Sequence, residues 1–436
     1  MSGAFLFTSS RDPTVRLGFS AALLQGLAPD GGLYVPAAWP QRSAHAFDGA
    51  TSLPEVAGQL LAPFLEGDPL AEQLGAIARE AFDFPATLVP LVPDGRLAVL
   101  ELFHGPTAAF KDFGARFLAA CFARLRGGAS RPLTILVATS GDTGGAVAAA
   151  FHRRPGIEVA VLYPKGLVSP TQERQLTCWG DNVRSLAVRG TFDDCQRLVK
   201  EAFLDPGLRE RRALSSANSI NLGRLLPQAV YYAATSLAIS RLHGESASFV
   251  IPSGNLGNSL ACLWARRLGL PIASVVLAHN ANRSVPDFLA SGEWRPRPSV
   301  ATLASAMDVG NPSNMERLRA LYPQLAELRA AVSATSVTDE EIRERIRAGF
   351  RTYGQVWCPH TATAAEAWER LPPERRAYGR WVLVATAHAA KFREIVEPLI
   401  GREVPMPESL ARLFARPVHC VEIDATLGAV RAALEA

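Results

Sequence analysis

The chain has only four lysines, Lys111, Lys165, Lys200 and Lys391, against 41 arginines. A guanidinium stays protonated at neutral pH, whereas an amine can lose its proton and form a Schiff base. Any chemistry that needs an amine therefore has four candidates. Lys111 lies in LFHGPTAAFKDFGARFLAACF, residues 102–122. Phe113, Phe117, Cys121 and Leu125 recur there at i, i+4, which predicts a helix with one packed face and Lys111 at its start. An amine at a helix N-terminus sits at the positive end of the dipole, and burial would further disfavour its charge and make it nucleophilic. On composition alone, a surface lysine at a helix start is the simpler reading.

Two Gly-containing turns follow apolar strands. In TSGDTGG (139–145), backbone N–H groups at a helix start could bind an anion. The hydroxyls of Thr139, Ser140 and Thr143 add donors, and Asp142 could accept from a phenol or an amine. The G-x-x-G-G spacing and the strand end Tyr163-Pro164-Lys165, with no acid for a ribose, disfavour a dinucleotide. A purely structural turn is the alternative. PSGNLGN (252–258) offers Gly254 and Gly257 for close backbone approach and several N–H donors to a phosphate. A reactive lysine and a phosphate cup together suggest pyridoxal 5'-phosphate, which also needs a partner for its ring nitrogen. Thr386, ending WVLVATAH, is a candidate hydroxyl that would let the ring stay neutral.

The elements that must position these residues alternate. TILVATS (134–140), IEVAVLYP (157–164), SFVIPS (248–253), SVVLAH (274–279) and WVLVATAH (381–388) are apolar strands without polar alternation, separated by helical segments such as FDDCQRLVKEAF. That pattern indicates an α/β fold with buried parallel sheet. Residues 1–98 look helical and irregular. Three segments result: 1–98, a 99–245 α/β unit with the lysine and SGDTG turns, and a 246–436 α/β unit with the phosphate loop and C-terminal helices. Ser313 with Glu316, and Thr338 with Glu341, are candidate capping boxes.

At 436 residues, 48% hydrophobic and 20% charged, the chain can bury a large core and is not disordered. No apolar run is long enough for a membrane helix, and the N-terminus does not read as a secretory signal. A cytoplasmic location is expected. A net charge of +4 with scattered basic residues gives no nucleic-acid footprint. Six dispersed cysteines without CxxC disfavour zinc and disulfides and suggest reduced, mostly buried thiols.

LFHGPTAAFKDF, TSGDTGG, NSINLGRLLPQ, PSGNLGN, AMDVGNPSN and TAHAAKF, in this order, resemble the threonine synthase family in its longer bacterial and fungal type. The opening LGFSAALLQGLAPDGGLYVP is similar to that family's N-terminal segment, so the resemblance covers nearly the whole chain. It implies a fold type II (tryptophan synthase β-like) pyridoxal-phosphate enzyme with two parallel-sheet domains and a mainly helical N-terminal segment. The implied reaction turns O-phospho-L-homoserine and water into L-threonine and phosphate. The resemblance assigns Lys111 to the Schiff base and to catalysis, and Gly254, Asn255, Leu256, Gly257 and Asn258 to the cofactor phosphate. It sets Thr386 at the ring nitrogen and Asp142 at the 3-hydroxyl side. Thr139, Ser140 and Thr143 fall at the substrate carboxylate, and Asn218, Ser219 and Arg224 at the substrate phosphate. No metal is implied, and a monomer or homodimer is expected.

Ala389, Leu256 and Asn258 depart from the family's usual residues without touching the chemistry. His104, His360 and His388 read first as hydrogen-bonded structural histidines, with an active-site role as the lesser alternative for each. Lys391 is open between the surface and the substrate phosphate. The rival readings are a phospho-lyase or a serine or threonine dehydratase of the same fold, and a non-catalytic cofactor-binding protein.

Overall fold

The computed structural model describes residues 3–126 and 132–435. Two sheets dominate it. The first has five strands, in the spatial order Val421–Asp424, Val183–Arg189, Ile157–Pro164, Leu133–Ala138 and Ala213–Ser216, and all neighbours are parallel. The second has six, in the order Ser333–Ser336, Ile272–His279, Ala247–Pro252, Arg380–Ala385, Leu97–Glu101 and Thr87–Pro90. Only its last pair is antiparallel. The central strands Leu133–Ala138, Ala247–Pro252 and Arg380–Ala385 are buried at every position, which is why they read as continuous apolar runs.

The chain crosses between these sheets twice in a way the contiguous segments 99–245 and 246–436 do not capture. Leu97–Glu101 pairs with Arg380–Ala385, in register from Leu97 with Trp381 to Glu101 with Ala385. Val421–Asp424 returns to the first sheet beside Val183–Arg189. This last strand is short and mostly exposed, so it carries no buried apolar run to announce it. The first crossing matters for the site. It sets the loop after Glu101 beside the loop after Ala385, and an isolated bridge between Ala109 and Ala387 continues the contact.

The N-terminal segment holds helices Phe19–Gln25, Leu53–Leu61 and Leu74–Ala81, and also a small antiparallel sheet of Phe7–Ser9, Arg16–Leu17 and Tyr34–Pro36. Its rings pack on helix Lys111–Leu125. Phe19 meets Phe117 at 6.4 Å, and Phe82 and Phe84 meet Phe113 at 5.9 and 4.4 Å. Burying aromatic pairs of this kind stabilises by about 0.5–1.5 kcal/mol per pair beyond area. The helix that begins with Lys111 is thereby clamped from behind.

The Thr338–Glu341 capping box forms at helix Asp339–Tyr353. The Ser313–Glu316 box does not, because the helix starts at Met315 and Glu316 is drawn to the N-terminal segment, 2.9 Å from Arg11 and 2.5 Å from Ser10. All six cysteines are free and only Cys420 is exposed. Among the described residues no helix is long and apolar enough to cross a membrane.

Candidate active site

A cleft of about 1820 Å³ opens where the carboxyl ends of strands from both sheets meet. This is the place where α/β folds bind ligands. Lys111, Thr139, Ser140, Asp142, Thr143, Asn218, Ser219, Arg224, the 254–258 loop and Thr386 all line it.

Lys111 is aimed by the loop that precedes it. The buried Asp112 carboxylate accepts from the Thr107 amide at 2.8 Å and from its hydroxyl at 2.6 Å, folding residues 107–112 around one anchor. Ala108 takes a left-handed φ of 52° in that turn. The Phe110 amide donates to the Thr386 carbonyl at 2.9 Å, and the His388 amide to the Ala108 carbonyl at 3.1 Å. Thr386, itself buried, is thus held beside the start of the lysine helix. Burial lowers the Lys111 amine to about 8, with Arg224 and Lys391 acting in the same direction and Asp142 opposing them. An appreciable fraction is then a free amine near neutral pH.

The 139–145 turn is built on its own polar groups. The Thr139 hydroxyl accepts from the amides of Gly141 at 3.0 Å and Gly144 at 2.9 Å. Gly141 has φ of 134°, a conformation that glycine adopts at little cost. Ser140 and Thr143 are half-buried and face the cleft. Asp142 starts helix Asp142–Phe151 and is buried. Burial works against its charge, but Lys391, then Lys111 and His360, outweigh that and hold the carboxyl well below the usual range.

Lys391 is not at the surface. It is completely buried, its ammonium 2.6 Å from Asp142 Oδ1 and 3.0 Å from the Thr107 carbonyl, which it donates to. It does not line the cleft. The sequence reading left it between surface and substrate; it lies under the floor instead. The long stem of a lysine that follows a strand end can turn inward when a buried carboxylate awaits it.

The 252–258 segment joins strand Ala247–Pro252 to helix Gly257–Arg267. Leu256 caps that helix in a left-handed conformation, φ 63°, with its side chain buried. A Cβ on Gly254 would lie 2.7 Å from Met307 Cα, so only glycine fits there. Asn258 accepts from the hydroxyls of Tyr231 at 2.6 Å and Tyr232 at 2.8 Å, while its own Nδ2 is buried without a partner. A donor left free beside a glycine-lined helix start fits a phosphate group.

A third wall of the cleft follows strand Ala213–Ser216. Asn218 Nδ2 donates to the Ala138 carbonyl at 3.0 Å, locking this loop to the end of the neighbouring strand. Arg224 is buried, donates from Nη1 to the Ala217 carbonyl, and leaves Nε without a partner. Burial lowers it to about 10, so it remains a cation at neutral pH. A buried guanidinium with a spare donor and no salt-bridged carboxylate calls for an anion.

The histidines take up hydrogen-bonded places around the cleft, and two residues, Asn314 and Arg317, join it without a sequence signal. His360, on helix Pro359–Glu369, lines the cleft and accepts from the Ala306 amide at 3.1 Å, and burial lowers it to about 4. His388 accepts from the Ala390 amide at 3.1 Å, and His104 lies 2.8 Å from Glu101. Arg317 is fully buried and donates to the carbonyls of Tyr34, Ser219 and Ile220. The polar residues Asn314 and Arg317 in GNPSNMER were visible, but nothing local tied them to a loop almost a hundred residues earlier.

A lysine amine lowered by burial, a glycine-containing loop at a helix start and a hydroxyl at a neighbouring strand end, set between two mainly parallel sheets, fit a fold type II pyridoxal-phosphate enzyme. The family described as pyridoxal-phosphate dependent enzyme matches residues 91–387, the threonine synthase N terminus matches 6–82 and the threonine synthase C-terminal family matches 361–434. Threonine synthase of Haemophilus influenzae is 39% identical over 97% of this chain and 98% of its own, and that of Escherichia coli 39% over 97% of each. The crystal structure of the Escherichia coli threonine synthase superposes with a TM-score of 0.89 at 36% identity over 99% of each chain. The pyridoxal-phosphate-bound threonine synthase of Brucella melitensis gives 0.90 at 35% over 98% of each. The chain belongs to the threonine synthase family. A diaminopropionate ammonia lyase of Escherichia coli, 14% identical with a TM-score of 0.58, shares the fold alone.

Proposed function

We propose that Lys111, the 254–258 loop, Thr386, Asp142 and Arg224 carry the threonine synthase reaction in this chain, the conversion of O-phospho-L-homoserine and water into L-threonine and phosphate. The observation that supports it most is a second anion site. The glycine loop with the free Asn258 Nδ2 suits one phosphate, and the buried Arg224 guanidinium, whose Nε has no partner, suits another on the same cleft. A dehydratase acting on serine or threonine has no use for the second.

Bound pyridoxal phosphate supplies an electron sink for carbanion chemistry at Cα and Cβ of the substrate. The glycine-loop amides and Asn258 Nδ2 would hold its phosphate, Thr386 would serve its ring nitrogen and Asp142 its 3-hydroxyl side. Lys111 is the covalent anchor. Its amine, lowered to about 8 by burial, would be suited to take the proton from the substrate Cα and return it. Thr139, Ser140 and Thr143 orient the substrate carboxylate. Asn218, Ser219 and Arg224 hold the leaving phosphate, whose charge grows as its bond to Cγ breaks.

A monomer or a homodimer is the assembly this reading expects. With a net charge of only +4 and no membrane-crossing helix among the described residues, the reading is of a cytoplasmic enzyme with a small-molecule partner and no nucleic acid. The test is incubation with O-phospho-L-homoserine. Equimolar phosphate and threonine are expected, whereas phosphate with a 2-oxo acid and no threonine would assign a phospho-lyase. Borohydride should fix the cofactor on Lys111, and a label on Lys165, Lys200 or Lys391 would overturn that assignment. Lys111→Ala should lose more than ~10³-fold in rate, since it removes anchor and base together.

A further inference from the structure

Lys391 joins three loops under the cleft floor. Its ammonium reaches Asp142 Oδ1 at 2.6 Å in the turn after Leu133–Ala138, and the Thr107 carbonyl at 3.0 Å in the loop that leads to Lys111. Its own short helix, Ala389–Phe392, follows Thr386, and its carbonyl accepts from the Ser169 hydroxyl at 3.3 Å. Ser169 in turn caps helix Pro170–Thr177, from which Gln172 Nε2 donates to Asp142 Oδ1 at 3.1 Å. Both donors to Asp142 end on Oδ1, so Oδ2 is the oxygen left for the cleft. Lys391 has no exposed surface and does not line the cleft, so it cannot touch substrate or cofactor.

A carboxylate facing a reactive amine is double-edged. Asp142 fixes hydrogen-bonding geometry, but its negative charge favours the protonated amine and so works against a base. A buried carboxylate also needs a partner to stay ionised at all. Lys391 answers both needs at once. We propose that Lys391 is a positioning residue: its ammonium anchors the Asp142 carboxylate and cancels its charge, so that Asp142 orients the groups in the cleft without holding Lys111 protonated. The inference rests on the reading of Lys111 as the cofactor-bearing amine.

The charges that face this pair come from every neighbouring element. Lys111 feels Asp142, Arg224 and Lys391; Asp142 feels Lys391, Lys111 and, from helix Pro359–Glu369, His360; and Lys391 also faces the buried Asp112 carboxyl beside Lys111, His360 and His388. Only the two members of the pair differ among the variants below, so the sign of each shift is fixed. Removing the cation leaves a net negative charge beside Lys111. Removing the anion leaves a net positive one.

The experiment follows acetylation of Lys111 by trace acetic anhydride against pH in the cofactor-free protein, with peptide mapping. The wild type should show a midpoint near 8. Lys391→Met should move it up by at least ~0.5 unit, Asp142→Asn down by a similar amount, and the double variant should return to within ~0.3 unit of wild type. Lys391→Arg, which keeps the charge, should stay near wild type. In the cofactor-loaded protein the pH midpoint of the visible absorbance should follow the same order. A purely structural lysine would lower the melting temperature without moving any midpoint, and that result overturns the proposal, as do shifts of the same sign in both single variants. Should Lys391→Met not fold, Asp142→Asn and Lys391→Arg decide it, since a null or upward shift in Asp142→Asn is equally fatal. Borohydride mapping of the wild type tests the assignment of Lys111 separately, so the two readings can fail independently.

Discussion

Asn255 Nδ2 donates to the Ser219 hydroxyl over 2.8 Å, so the glycine loop and the loop carrying Asn218 are tied through their own side chains. Asn314 Nδ2 reaches the same hydroxyl at 3.1 Å and the Asn255 carbonyl at 3.0 Å, and Asn255 Oδ1 accepts from the Ser313 amide at 2.5 Å. Residues assigned to two different phosphates thus share one network. Asn255→Ala should therefore raise both the cofactor dissociation constant and KM for O-phospho-L-homoserine, each by roughly tenfold, for the loss of about 1–1.5 kcal/mol of hydrogen bonding at each site. Fluorescence titration and steady-state kinetics measure the two. A change confined to the cofactor would show that the loops act separately.

Gly254 packs against main chain rather than against a side chain that can swing away. The Cβ of Gly254→Ala would meet Met307 Cα at 2.7 Å and the Ala306 carbonyl oxygen at 3.3 Å. Either the phosphate loop or the 305–309 segment must shift, at a cost of about 1–3 kcal/mol. Cofactor retention through gel filtration should fall sharply in this variant. Full retention with an unchanged melting temperature would mean that the close approach is not needed.

His360 makes acid stability sensitive to one side chain. Burial, together with Lys111 and Lys391 and against Asp142, lowers it to about 4, below an ordinary value near 6.5. On acidification the unfolded chain takes up this proton first, so stability is lost as pH falls from about 6.5 toward 4. Between pH 7 and 5 the loss from this group is about 2 kcal/mol. His279 and His388 are lowered as well and add to the trend, whereas Asp308, raised to about 6 by burial, opposes it. His360→Gln isolates the one contribution. Urea unfolding of the cofactor-free variant should show a pH 7 to pH 5 difference smaller than wild type by that amount, and an equal difference would refute the assignment.

Part of this site was readable because its pieces sit at the ends of strands with no polar alternation. Asp142, Gly254 and Thr386 each follow such a run, and parallel sheets bring those ends to one edge. Lys111 stood out by its rarity and by the family-like motif around it, while the strand Leu97–Glu101 that precedes it was not among the strands read from the sequence. Lys391 was flagged by its rarity, but its direction was not legible, because nothing local distinguishes a lysine that turns outward from one that turns in to a carboxylate about 250 residues away. The network through Asn314 and Arg317 was missed for the same reason. Its bonds run to Ser219 and to Tyr34 of the N-terminal segment, and only tertiary packing creates them. The strands 183–189 and 421–424 escaped because arginine and glutamate interrupt their apolar pattern.

Arg224 provides the sharpest test of where substrate phosphate lies. Its charge is buried, its Nε has no partner and its Nη1 donates only to a backbone carbonyl. A charged donor left this way is costly in the empty cleft and strongly favourable once a phosphate arrives. On the proposed reading the glycine-loop amides and the free Asn258 Nδ2 take the cofactor phosphate, which then does not need this cation. The leaving phosphate gains charge as it departs, and the guanidinium should therefore matter more in the transition state than in the bound substrate. Arg224→Leu is expected to keep the cofactor and its colour while kcat/KM for O-phospho-L-homoserine drops by at least ~100-fold, with most of the loss in kcat. The variant also removes a buried unpaired charge, so its melting temperature without substrate should not fall far. Loss of the cofactor would place Arg224 at the other phosphate, and near-normal turnover would show that the substrate phosphate binds elsewhere in the cleft.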